Sequence, residues 1–289
     1  MTTIRHRIRE LTQQNMRPVS TNAEITSIRS IAPSYTRVTL TSSDLARYEP
    51  TLPADGIKIA VPGKDGAPEI RAMTVSRRPT PDTIEIDVLT HTGGILAPWL
   101  THARTGDRID VHAVRREWAL GDDITEHILV ADASALPAAA TILHAIPEEH
   151  QVHAWLHVPE ADDGVLIPER LNLQLHPHVG NAWTPMQLRD ELNKVLPSIP
   201  RNNGVQAWLA AEASTVAEGR RCLTKHGHDR DHMFAAAYWK HGCGSTARDE
   251  RIRRAYVEAV AKDADLTDPD TRADTEMLAD EMGREVPSP

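Results

Sequence analysis

The feature that most constrains this chain is a change of hydrophobic rhythm near Gly121. Before that point, apolar side chains alternate with polar ones. Thr36, Val38 and Leu40 fall on one side of Tyr35–Thr41, and Ile57, Ile59 and Val61 repeat the pattern. Ile84, Ile86 and Val88 do so again, then Ile109, Val111 and Ala113. A period of two gives each strand one buried face. Turn formers separate the runs: Pro53, Gly56, Pro62-Gly63, Gly66, Pro79, Pro81 and Gly106-Asp107. Several short strands with such turns between them predict an antiparallel barrel or sandwich.

After Gly121 the pattern becomes strand, helix, strand. Residues 127–131 (HILVA) form a short, continuous apolar run, and 135–146 read as a helix. Strands are expected at 151–158, 170–175, 205–210 and 232–239, with a helix at 214–225. Thr184, Pro185 and Gln187 supply an N-cap, a first-turn proline and a capping box, so a helix starts there. Alternating strands and helices predict a mainly parallel sheet. The expected division is a lead-in at 1–20, a barrel domain at 21–122, an α/β domain at 123–245, and a C-terminal helix with an acidic tail at 246–289. Residues 4–14 read as a short polar helix or a frayed lead-in. Ile252, Tyr256, Val257 and Val260 give 246–262 helical spacing, and the tail from Asp263 reads as flexible or loosely docked.

Composition narrows the function. The formal net charge is -9, which argues against a nucleic-acid protein, because such proteins rest on a basic face. Two cysteines, Cys222 and Cys243, make no disulfide framework and suit a reducing, cytoplasmic setting. The first residues lack the apolar core of a signal peptide, and no apolar run is long enough to insert in a membrane. The 15 histidines include the pairs His176/His178 and His226/His228, and His153 and His157 share a strand face with Trp155. Without three or four convergent ligands they read as surface or interdomain residues and not as a metal site. Arg77-Arg78, Arg115-Arg116, Lys240 and Arg248 could form a local basic patch that attracts an anionic substrate.

Chemistry concentrates in three segments. Arg71-Ala-Met-Thr74 opens a strand, and an arginine there can clamp a phosphate bidentately. Downstream lie His91-Thr-Gly-Gly94, Ala97-Pro-Trp99 and Gly106-Asp107, where a glycine turn before a helix offers main-chain N–H groups to the same phosphates. Further on come Ala131-Asp-Ala-Ser-Ala-Leu-Pro-Ala138, Trp208-Leu-Ala-Ala-Glu212 and Ala237-Tyr-Trp-Lys-His-Gly242. In order and spacing these segments resemble the siderophore-interacting proteins, a branch of the ferredoxin-reductase-like superfamily, from about Thr21 to Gly242. The resemblance implies a Greek-key β-barrel that binds FAD, followed by a Rossmann-like α/β domain that binds NADPH or NADH. It implies electron transfer to a ferric siderophore in the cleft between them, with release of Fe(II).

The resemblance also assigns roles. Arg71 would hold the FAD pyrophosphate, Met73 would pack on the flavin and Thr74 would sit near its N5. Thr90, His91, Gly93, Gly94, Ala97 and Trp99 would wrap the phosphates and ribityl chain, with Arg115 beside them. Asp132, Ser134 and Ala135 would face nicotinamide, while Tyr238 and Trp239 would lie near the flavin. Arg78, Lys240 and Arg248 would meet the ferric siderophore or another small-molecule substrate. No residue need act as acid or base, since the cofactor carries the chemistry. A monomer or weak homodimer is expected. Departures from the family pattern fall in both cofactor segments: Met73 replaces a tyrosine, Ala113-Val-Arg-Arg-Glu-Trp118 replaces a glycine-rich turn, and Ala133 and Ala211 replace a glutamate and a glycine. They motivate a second reading, in which the cleft serves a non-redox biosynthetic reaction or binds a small molecule.

Overall fold

A computed structural model describes residues 3–14, 19–63, 67–90, 94–201, 204–241, 245–266, 271, 274–276 and 278–279. In chain order the elements are α1 (Ile4–Gln14), β1 (Ser20–Ala32), β2 (Tyr35–Thr41), β3 (Gly56–Pro62), β4 (Pro68–Thr80), β5 (Thr83–Leu89), α2 (Leu96–His102) and β6 (Arg108–Arg115). They continue as β7 (Glu126–Ala131), α3 (Leu136–Ala145), β8 (Gln151–Val158), β9 (Leu173–Val179), α4 (Pro185–Val195), β10 (Val205–Glu212), α5 (Ala213–Lys225), β11 (Met233–Trp239) and α6 (Ser245–Val260).

The alternating strands close on themselves. The barrel order is β1-β2-β5-β4-β3-β6, with every pair antiparallel, and β1 pairs with β6 to complete the circuit. The inward faces supply one core: Val38, Leu40, Ile57, Ile59, Ile84, Ile86 and Val111 are all buried within it. β1 has no clear alternation in its sequence. Its burial comes from the closure itself, which inserts Ala23 and Ile25 into the core.

The second half is a parallel sheet in the order β11-β10-β7-β8-β9. Its first strand, β7, is central, and strand order reverses between β7 and β10. In open α/β sheets, ligands bind in the crevice beyond the carboxyl ends of strands at such a switch point. Helices pack on the apolar strands; α5 crosses β10 so closely that a Cβ on Gly219 would come within 2.7 Å of Leu209. The fold is a closed antiparallel barrel joined to a Rossmann-like α/β domain. We propose the domain boundary at 122/123, inside the irregular 116–125 connector.

One element differs from the sequence reading, and two make contacts that the sequence did not show. The strand expected at 170–175 runs from Leu173 to Val179 instead, because Arg170 donates to the carbonyls of Leu143, Ile146 and Pro147 at the end of α3. The strand then carries Pro177 on the sheet edge, where a missing N–H is tolerated. The polar α1 buries Ile4 and Ile8, one helical turn apart, against Ala119. In the tail, Ala279 is buried and Glu276 bonds to Tyr256 on α6, so these residues are docked.

The two halves share a core. Tyr35 and Ala54 from the barrel side pack with Leu136, Ala139 and Trp208 of the α/β side. Ser34 N–H donates to Asp163 at 2.8 Å, and Ala54 N–H to the Thr141 hydroxyl at 2.8 Å. Among the described residues no helix is long and apolar enough to cross a membrane.

Candidate functional site

Strand register sets the barrel wall of the cleft. Arg115 on β6 pairs with Gly56 on β3, which pairs with Thr74 on β4, so the three form a row across adjacent strands. Thr74 is buried in this row, on the side of the Tyr238 hydroxyl at the end of β11. Tyr238 donates to Glu117 at 2.5 Å. Arg115 lies 3.2 Å from Glu117 and 4.0 Å from Glu276 of the tail. Burial pushes the Glu117 carboxyl above the usual range, while Arg115 and the Tyr238 hydroxyl pull it back. Burial and the Glu117 charge keep Tyr238 protonated.

The facing wall is the turn after β7. Asp132 is buried and accepts four hydrogen bonds: from Ser134 N–H at 2.9 Å, the Ser134 hydroxyl at 2.5 Å, Glu212 N–H at 2.8 Å and the Trp239 indole at 2.6 Å. It therefore ties the ends of β7, β10 and β11 together at the switch point. Burial raises its carboxyl, and those donors offset part of the rise. Glu212 caps α5 through the N–H groups of Ser214 and Thr215 and also accepts from His241 N–H. Burial opposes its charge, yet the Ser214 hydroxyl and these N–H groups hold its carboxyl below the usual range.

The sequence-predicted residues divide into two sets. Arg115, Asp132, Ser134, Tyr238 and Trp239 belong to the contacts just given, and Thr74 shares the strand row of Arg115. Ala135 is buried at the start of α3. Lys240 follows directly and is only 9% exposed. Arg71 lies on β4 opposite Ile59, with its guanidinium on Glu69 at 2.5 Å and on the Ile70 carbonyl. Met73 sits in the barrel core. Thr90 is fixed to the Ser34 carbonyl, Gly94 has a left-handed φ of 93°, Ala97 lies on α2, and Trp99 packs on the barrel core. His91 and Gly93 lie outside the described residues, as do Cys243 and the side chain of Arg248.

Arg78 has its bonding partners within the barrel domain. It donates to Thr51, the Leu45 carbonyl and the Pro81 carbonyl, and stacks 5.1 Å from the Tyr48 ring centre. It lines an open hollow of about 670 Å³ with Glu49 and Pro79. Arg116 turns inward to the same Tyr48 and to buried Asp55 at 2.5 Å. Of the expected basic patch, Arg78, Arg115 and Arg116 each place their guanidinium on a near acceptor. The histidines also differ from expectation: His127, His153 and His157 are buried in the parallel sheet. Among the described residues no group of three or more His, Cys, Asp or Glu side chains could hold a metal ion.

Sequence reasoning missed Tyr35, Glu117, His157 and Glu276. Glu117 lay within a segment already marked as divergent, and His157 within a marked strand face. Nothing local distinguishes Tyr35 or Glu276.

Residues 124–242 match the family model for "Siderophore-interacting protein". Over 243 residues it is 25% identical to the ferric vibriobactin reductase ViuB of Vibrio cholerae, covering 74% of this chain and 87% of that protein. It is 24% identical over 212 residues to a ferric acinetobactin reductase of Acinetobacter baumannii, covering 71% and 73%. A solved siderophore-interacting protein from Acinetobacter baumannii superposes with a TM-score of 0.73 at 20% identity, over 85% of this chain and all of that one. A siderophore utilization protein from T. fusca superposes with a TM-score of 0.68 at 25% identity, over 78% and 95%.

The donor set of the cleft fits a flavin nucleotide. It offers a hydroxyl (Thr74), an indole and a phenol at the sheet end (Trp239, Tyr238), and guanidiniums on β4 and β6 (Arg71, Arg115). Both guanidiniums already face carboxylates.

Proposed function

We propose that this chain is a cytoplasmic ferric-siderophore reductase that uses FAD and NADPH or NADH. The observation that carries the reading is the meeting of the barrel row Arg115–Gly56–Thr74, through Glu117, with the sheet ends at Tyr238, Trp239 and Asp132. Arg71 and Arg115 are suited to phosphate, and Thr74 and the Tyr238 hydroxyl to the edge of the ring system. The 132–135 turn is suited to the nicotinamide. A bound flavin supplies the relay between a two-electron donor and one-electron ferric iron. The protein orients the partners and keeps water out. The names of the relatives support a ferric siderophore as substrate, placed near Trp239 and Lys240.

The test is spectroscopic. After incubation with excess FAD and gel filtration, the protein should retain flavin absorbance, and NADPH or NADH should bleach it. A protein that emerges colourless overturns the reading. The carboxylate partners of Arg71 and Arg115 favour a rival: a cleft that binds a small molecule without redox turnover. Bleaching by either nucleotide eliminates that rival.

A further inference from the structure

The turn after β7 holds an arrangement that neither the motifs nor the relatives assign. Ala133 contributes only a methyl group, yet both of its main-chain polar groups bond to side chains of other strands, one of them in the barrel. Its carbonyl accepts from the Tyr35 hydroxyl of the barrel at 2.7 Å. Its N–H donates to Nδ1 of His157 on β8 at 3.2 Å. The other imidazole nitrogen, Nε2, lies 2.7 Å from the Gly180 carbonyl oxygen. A carbonyl only accepts, so Nε2 carries the proton. A main-chain N–H only donates, so Nδ1 is bare. The two partners therefore fix one tautomer of a neutral imidazole.

The surroundings keep it neutral. His157 is 4% exposed. From β9 the His178 ring lies 5.7 Å away, and Trp183 lies 6.1 Å away. The nearby anion is Asp132 at the end of β7, whose oxygens are occupied by Ser134, Glu212 N–H and Trp239. Burial moves the imidazole below the ordinary histidine range and His178 adds to this, against the Gly180 carbonyl and Asp132. A second proton on Nδ1 would set N–H against N–H and leave a buried amide without an acceptor, which is unfavourable.

We propose that His157 is a positioning residue for the turn at the sheet switch point: neutral, it holds Ala133 from the α/β side while Tyr35 holds it from the barrel, and protonation releases the turn. The consequence for nucleotide affinity rests on the reading of 132–135 as the nicotinamide site. The sign follows from the tautomer. The clamp is closed at neutral pH and opens as pH falls through the lowered pKa of His157.

The test uses the full chain. Hydrogen exchange at the Ala133 amide is followed while the His157 imidazole is titrated by NMR, and Kd for NADPH and NADH is measured over the same pH range. Ala133 should be protected at neutral pH and lose protection with the midpoint of His157. Nucleotide Kd should rise about tenfold in the same step, the equivalent of one hydrogen bond. In His157→Asn, whose amide oxygen can accept from Ala133, the acid step in both readouts should disappear. Ala133 protection that ignores the His157 titration overturns the proposal, as does an acid step that persists in His157→Asn. If that variant does not fold, the wild-type titration decides alone. If neither nucleotide binds at any pH, the functional reading fails, and Ala133 exchange still decides the clamp.

Discussion

The two walls of the cleft are built on different physics. The barrel wall presents charges: Arg71 against Glu69, and Arg115 against Glu117 and Glu276. The α/β wall presents a turn whose groups are saturated by Asp132, Tyr35 and His157. Charged side chains with partial exposure can exchange one partner for another at small cost. A buried network with every member bonded is stiff, and losing one member is expensive. The barrel wall is therefore adjustable, the α/β wall preset. An anionic ligand entering the barrel side has to replace carboxylates, while a ligand on the other side meets a surface that is already formed.

Three experiments can break or sharpen this contrast. The largest effect is expected for Asp132→Ala, which leaves Glu212 N–H, Ser134 and the Trp239 indole without their shared acceptor. Urea unfolding should show a loss of about 3–5 kcal/mol, comparable to breaking a buried charged network. A loss within the ordinary surface range of about 0.5 kcal/mol would mean the α/β wall is not preset. Next is Glu276→Gln, which removes one of the two carboxylates facing Arg115. FAD Kd, followed by quenching of flavin fluorescence, should fall about three- to tenfold at low salt, and the gain should shrink as salt is added. Unchanged affinity would show that the tail does not compete at Arg115. The smallest effect belongs to Arg78→Gln. Its guanidinium is bound to Thr51, Leu45 and Pro81, so FAD and siderophore affinities should stay within about twofold. Stability should drop by about 1–3 kcal/mol, from the hydrogen bonds left unmade. A large loss of siderophore affinity would return Arg78 to the site.

The histidines show why a sequence reading stops short of such a site. His157 alternates with Trp155 on a strand face, which is visible from spacing. Its burial depends on β9 pairing beside β8, and its tautomer on Gly180, a residue in another segment. The arginines teach the same lesson from the opposite side. Arg77-Arg78 and Arg115-Arg116 look like a patch when written in a line. On β4, neighbouring side chains point to opposite faces, and past the end of β6 Arg116 turns inward to Asp55. Arg78 caps the far end of its strand, roughly 13 Å along from Thr74 at the usual rise per residue.

Some of this protein was determined by the sequence alone. Period-two runs set the barrel strands Tyr35–Thr41, Gly56–Pro62, Thr83–Leu89 and Arg108–Arg115 almost to the residue. Thr184 and Gln187 placed the start of α4 through a capping box that the structure contains. These are local effects, decided by neighbours within a few positions. Tertiary structure decided the rest. β1 became a strand because the barrel closes on it, and β9 slid because Arg170 caps another helix. The cleft acquired its character from contacts spanning many positions in sequence, such as Tyr35 with Ala133 and Arg115 with Glu276. Hydrogen-bond satisfaction and charge pairing depend on which groups meet after folding, and local sequence pattern does not encode that meeting.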